Sequence, residues 1–116
     1  MEVFAITKNI PMSAQKMREV VRQIQGLPAL QAQAVLAVVP RKSARYVAKT
    51  LKSAIANAED QARHQKISQF KTENLRVLSA VAGTATTLKR FTPKARGSAG
   101  PILKRTCHIK IVLSDE

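Results

Sequence analysis

Residues 88–110 hold Lys89, Arg90, Lys94, Arg96, Lys104, Arg105 and Lys110, seven cations with no carboxylate among them. Groups of that kind at that density do one piece of chemistry well: they bind closely spaced anions, and the phosphates of nucleic acid are the densest available. Arginine can fork onto phosphate or stack on a base. Pro93, Gly97, Gly100 and Pro101 punctuate the run, and Phe91 is the one large apolar group between Lys89 and Ile102. A segment so composed cannot bury enough surface to offset its own ordering entropy. Strand-like sequence flanks it on both sides, so residues 83–101 read as the projecting end of a long β-hairpin that an anionic partner orders. Phe91 is either a surface aromatic or a group that stacks on a base or wedges into a crevice.

Other chemistries find little support. The acids Glu2, Glu19, Glu59, Asp60, Glu73, Asp115 and Glu116 include no pair placed for acid–base or two-metal work. His64 and His108 lack the neighbours a metal or catalytic site needs, and no Gly-rich phosphate loop follows a strand. Cys107 is the single cysteine, which excludes an intrachain disulfide and a cysteine cluster for zinc. It falls on the apolar side of a strand pattern and reads as a small core residue. No enzyme, cofactor or metal is expected. His108 alternates with Thr106 and Lys110 and is read as a polar contact to RNA.

The chain that carries these groups has 116 residues, the size of one domain. It is 45% hydrophobic but only 3% aromatic, so the core is built from Ala, Val, Leu and Ile. The net charge of +13 disfavours the compact state unless a polyanion screens it. No stretch approaches the ~18 apolar residues of a spanning helix, and no basic helix has the aromatic face of a membrane-surface binder. A membrane partner is not expected. The N-terminus shows neither a signal nor a transit pattern, which points to a reducing, cytoplasmic compartment.

The positioning elements follow from periodicity. Val3–Ile6 reads as an edge strand. Ser13 caps a first helix whose Met17, Val20, Val21 and Ile24 recur at helical spacing until Gly26, with Lys16, Arg18 and Arg22 opposite. A second helix carries the stripe Leu30, Ala34, Val35 and Val38 and stops at Pro40. The third spans roughly Arg41–Arg63, on the stripe Ala44, Ala48, Leu51, Ile55, Ala58 and Ala62. Arg41, Lys42 and Arg45 at its start oppose the helix dipole, as an external anion there would explain. Lys49, Lys52, Lys66 and Lys71 read as a solvated face. Leu75, Val77, Ser79 and Val81 alternate with Arg76, Leu78, Ala80 and Ala82. Cys107, Ile109, Ile111 and Leu113 do the same on the return. The expected fold is α+β: three helices on a small antiparallel three-stranded sheet, with the hairpin projecting from it.

Four blocks carry a resemblance: Ser13-Ala14-Gln15-Lys16 with Arg18; Leu51 through Glu59; Lys89-Arg90 with Pro93, Ala95 and Gly97; and Ile102 through Thr106 with His108-Ile109. In order and spacing the chain resembles the bacterial large-subunit ribosomal protein twenty-two family. The resemblance implies a body on the outer side of the large subunit touching ribosomal RNA and neighbouring ribosomal proteins. It also implies help in subunit assembly and a hairpin reaching the wall of the peptide exit tunnel, beside the nascent peptide and near where macrolides bind. Leu88, Lys89 and Arg90 match the tunnel-end triplet, with Phe91 adjoining. Lys94, Arg96, Lys104 and Arg105 match basic hairpin positions, and Lys16, Arg18 and Arg22 the first-helix face. The implied location is the ribosome, in bacterial cytoplasm or a plastid. The chain departs from the family's usual pattern at Ala82–Thr87, at Gly97-Ser98-Ala99, and at Cys107, where Ser is usual. The competing classes are a DNA-bending architectural protein with basic β-arms and a ribosome-independent RNA chaperone.

Overall fold

The computed structural model describes residues 2–65 and 71–115; Lys66, one of the lysines assigned to the solvated face, lies outside them. The elements run β1 (Glu2–Ile10), α1 (Ala14–Ile24), α2 (Ala29–Val38), α3 (Lys42–His64), β2 (Arg76–Thr84), β3 (Leu88–Pro93), β4 (Ala99–Lys104) and β5 (Cys107–Ser114). Strands β1, β5 and β2 form an antiparallel sheet in that order, and β3 pairs with β4 separately. The α+β architecture is the expected one.

Strand β5 lies between its two partners, and Cys107, Ile109, Ile111 and Leu113 are fully buried along it at every second residue. Helix α1 packs over β2, and α3 over β1 and β5. Helix α1 begins where Ser13 Oγ accepts from the Lys16 amide (3.4 Å), and its chain turns away through Gly26 at φ +80°, a conformation glycine adopts without strain. Helix α3 buries Ala44, Leu51, Ile55, Ala58 and Ala62 as the stripe requires, with Ala48 partly covered. Its buried face also takes in Val47, Thr50 and Ala54. Thr50 donates to the Tyr46 carbonyl (2.9 Å), so its hydroxyl oxygen receives the Thr7 hydroxyl (2.7 Å), pinning α3 to β1. The α1–α2 connection adds main-chain bonds along the outer edge of β2: Gly26 N–H to Val77 C=O, Val77 N–H to Leu27 C=O, and Ala29 N–H to Leu75 C=O, each 2.9 Å. Covering an edge in this way removes a template for unwanted strand pairing.

Three expectations are corrected. Helix α2 packs on α3 through Ala29, Ala32 and Leu36, while Leu30, Ala34 and Val38 of the anticipated stripe are exposed, Leu30 to 46% and Val38 to 78%, and Val35 is half-buried. Apolar residues occupy both sides of α2, so periodicity alone could not choose between them; the small alanines permit the closer approach to α3. On β2 the alternation breaks at Leu78. Val77 pairs with Leu113 but Ser79 with Val112, leaving Leu78 as an inserted residue. A one-residue bulge reverses the faces beyond it, so Ala80 and Ala82 are buried and Val81 is half exposed. Finally, β1 is longer than Val3–Ile6. It continues to Ile10 through a second irregularity at Lys8-Asn9, where Asn9 takes φ +57°.

Replacing Leu51, fully buried between α3 and the sheet, by Ala is expected to cost about 2–5 kcal/mol, read as a lower urea midpoint. Val38→Ala on the outward face of α2 should shift stability by less than about 0.5 kcal/mol. Equal effects would mean the core is misassigned. In hydrogen exchange on the free protein, amides of Leu51 and Ile55 should exchange slowly and those of β3 and β4 quickly, since no helix of the described residues packs on that ladder. Uniform protection would contradict this.

Candidate nucleic-acid interface

Past Thr84 and before Cys107 the two chains stay together: Ala85 N–H bonds the Thr106 carbonyl (3.1 Å), and the Thr106 hydroxyl donates to the Thr86 carbonyl (2.6 Å). Three residues (85–87) oppose two (105–106) before the ladder resumes with Leu88 against Lys104. The pair β3–β4 is therefore an offset continuation of β2–β5. It makes the molecule long, 69 × 27 × 16 Å, with a radius of gyration of 17.7 Å where a compact chain of similar length has about 13 Å.

The ladder pairs Leu88, Arg90 and Thr92 with Lys104, Ile102 and Gly100 on one face, and Lys89, Phe91 and Pro93 with Leu103, Pro101 and Ala99 on the other. One face thus carries Arg90 and Lys104. The other is an apolar strip ending in Lys89, with Phe91 73% exposed and packed into no crevice of its own chain. The far end is the turn 94–98, closed by the Lys94 amide on the Ser98 carbonyl, with Arg96 (φ +61°) and Gly97 (φ +72°) in the left-handed region. Gly100 lacks a Cβ where the Lys94 stem lies across the strand. Leu88, Lys89, Arg90 and Phe91, matched by family likeness to the tip, belong to the shaft. Register sets them against Pro101–Lys104 near the body, and Lys94 and Arg96 occupy the end instead.

At the root of the hairpin the surface is cationic. Lys16, at the start of α1, lines three adjoining grooves. One runs to Arg41 and Lys42 at the start of α3. Another meets Arg18, Arg105 and the threonines 84, 87 and 106, and a third meets Lys42, Lys104 and Arg105. Five of the residues chosen from sequence (Lys16, Arg18, Lys42, Lys104 and Arg105) therefore converge, although they are up to 89 positions apart in the chain. Arg18 is held in place by its Nε donating to the Ala82 carbonyl (3.0 Å). Arg41 makes an ion pair with Glu19, both about half exposed, and exposed pairs of this kind contribute little. Arg45 lies on the next groove, toward α2, and Arg22 in the last turn of α1. His108 accepts the Asn9 amide at Nδ1 (3.0 Å), so it braces the β1 irregularity and has only Nε2 left for an outside partner. The threonines of the groove were not anticipated; no local spacing marks residues that only strand pairing brings beside α1. Lys110, not chosen either, lies over the Phe4 ring (5.2 Å) on the sheet's outer face.

Among the described residues no group of three or more His, Cys, Asp and Glu could hold a metal. Burial pushes the Cys107 thiol above its ordinary range, which suits an inert core residue. What the surface offers is fixed positive charge beside donor hydroxyls, at the junction of a body and a long cationic arm.

Residues 5–114 match the family described as Ribosomal protein L22p/L17e. The chain belongs to that family. It is similar to the large ribosomal subunit protein uL22 of Opitutus terrae, 48% identical over 115 residues covering 99% of this chain and 96% of that one. The proteins of the same name from Akkermansia muciniphila and Latilactobacillus sakei are each 44% identical, covering 100% and 97% of this chain and 98% and 91% of theirs. Membership makes this chain a structural constituent of the large ribosomal subunit and favours that role over a DNA-bending one. The family is not a class of enzymes. No described helix is long and apolar enough to cross a membrane.

If the root grooves hold phosphate, Lys104→Gln with Arg105→Gln should weaken binding to a large-subunit ribosomal RNA fragment. It should also flatten log K against log[salt] by about 0.7–0.9 for each phosphate no longer neutralised. A titration across salt measures both. An unchanged slope would show that these side chains face solvent.

Proposed function

We propose that this protein binds large-subunit ribosomal RNA through the surface centred on Lys16, assists assembly of the subunit, and sends its hairpin to the wall of the peptide exit tunnel. The observation that carries the proposal is the hairpin: a two-stranded ladder against which no helix of the described residues packs, bearing Lys89, Arg90, Lys94, Arg96 and Lys104 and no acid. Such an arm gains nothing from its own body and much from an anionic wall.

Roles divide along the arm. Lys16, Arg18, Lys42, Lys104 and Arg105 take phosphates at the root, and Arg22, Arg41 and Arg45 flank them, Arg41 exchanging Glu19 for phosphate. Lys89 and Arg90 take the RNA along the shaft, with Phe91 and its apolar strip against bases or the nascent peptide. Lys94 and Arg96, at the turn, reach deepest. His108 supports the root through Asn9 and offers only Nε2 to RNA. The whole chain acts as one unit, its body as anchor and its hairpin as probe.

The turn touches few groups among the many that hold the protein, so it should shape the tunnel without deciding incorporation. Lys94→Gln with Arg96→Gln is expected to enter large subunits at close to the normal level, by quantification after sedimentation through high salt. It should change the macrolide response of translation or the behaviour of stalling peptides. Deleting Leu88–Arg90 is a different perturbation, because losing an odd number of residues from one strand reverses the faces beyond it. Loss of incorporation on changing the turn would make it an assembly anchor. No effect on either readout would mean the turn does not reach the tunnel wall.

A further inference from the structure

Residues 23–40 contain no Lys, Arg, Asp or Glu, in a chain that is 23% charged. They include all of α2, whose inner face (Ala29, Ala32, Leu36) packs on α3. Its outer face repeats Leu30, Ala34, Ala37 and Val38 at helical spacing, all exposed, Val38 to 78%. A helix apolar on both sides is ordinarily buried on both. The outer stripe runs into a groove of about 650 Å³ between the end of α2 and the start of α3. The groove has Ala37 and Pro40 on one side, Ala44 on the other, and Arg41, Lys42 and Arg45 along its wall.

We infer that this face is where a second protein of the large subunit docks, presenting an apolar segment with carboxylates beside it. The inference rests on the chain's place in the subunit and assigns the outer face of α2, none of whose residues the RNA reading uses. RNA is a poor occupant for α2, which offers phosphate no cation and bases no aromatic ring. A second copy is a poor one too, since each brings a net charge of +13 and sets Arg45 and Lys42 against their like. An apolar segment fills the groove, while its carboxylates meet Arg45, which lines this groove and none of those around Lys16. That meeting also supplies the negative charge the first turn of α3 lacks.

The test places a thiol on the stripe. Val38→Cys adds a reactive group to a protein whose own Cys107 is buried, and Leu30→Cys provides a second position on the same face. In the free protein both should react with iodoacetamide; in purified large subunits both rates should fall at least tenfold. A benzophenone attached at either position and irradiated in the subunit should give an adduct that resists ribonuclease, and its partner peptide should contain apolar residues next to Asp or Glu. Unchanged thiol reactivity in subunits, an adduct to RNA, or an adduct to another copy of this chain would each overturn the inference. Lys104→Cys, treated identically, reports on the RNA reading. Should it give no RNA adduct while the α2 positions crosslink to protein, the RNA assignment fails and the docking face stands.

Discussion

The structure depends on strand β5. It is hydrogen-bonded on both edges, to β1 and β2, and its alternate residues Cys107, Ile109, Ile111 and Leu113 are buried beneath α1 and α3. Fully burying side chains of the larger kind contributes on the order of 1.5–3 kcal/mol each, so this one strand carries much of the core. It is also where the arm is fastened, because β4 runs into β5 across only two residues, as β2 runs into β3 across three. Among the described residues no helix packs on the arm. Its direction is therefore inherited from the β2–β5 ladder that it continues, which lets a thin ribbon be aimed at a distant partner.

The mismatch of three residues against two at the arm's root matters for chemistry. It re-sets which side chains share a face, collecting Arg90 and Lys104 on one side and Phe91, Pro101 and Leu103 on the other. A ribbon with two cations among Leu88 and Ile102 on one face, and an apolar strip ending in Lys89 on the other, can lie between phosphate and a surface of different character. The same logic operates at Leu78 and at Lys8-Asn9. Each irregularity bends or re-aims a strand, and the second is stabilised locally by the Asn9–His108 bond. Irregularities of this kind are features that position neighbouring groups.

The division between what was and was not legible follows the range of the interactions. Helix α1 could be read nearly residue by residue, since its cap at Ser13, its stripe and its stop at Gly26 are all set within the helix and its ends. The alternation of Cys107–Leu113 was equally plain because that strand is regular. Bulges are set by the partner strand, so the faces of β2 beyond Val77 could not be read from β2 alone. The turn at 94–98 was obscured because family likeness put Leu88–Arg90 at the tip, while cross-strand register decides which residues lie farthest out. Charge singled out the cationic residue types proposed for the interface. Only the fold showed that Lys16, Lys42 and Arg105 meet.

The distribution of charge then links the two kinds of surface. Lys16, Arg18, Lys42, Lys104 and Arg105 gather where α1, α3 and the hairpin meet, at a cost in self-repulsion that the free protein bears and screening only partly relieves, since the Debye length is about 8 Å at physiological salt. A polyanion removes that cost and adds counterion release, so the body and arm are more stable bound than free. Helix α2, free of charge, lies beyond the start of α3 and gains nothing from that exchange. Its exposed Leu30 and Val38 would instead lose water to an apolar neighbour docked on that face. The two surfaces thus respond to different conditions: added salt weakens the first and leaves the second largely intact. A subunit that holds the protein by both keeps the apolar face covered under ionic conditions that loosen its grip through phosphate.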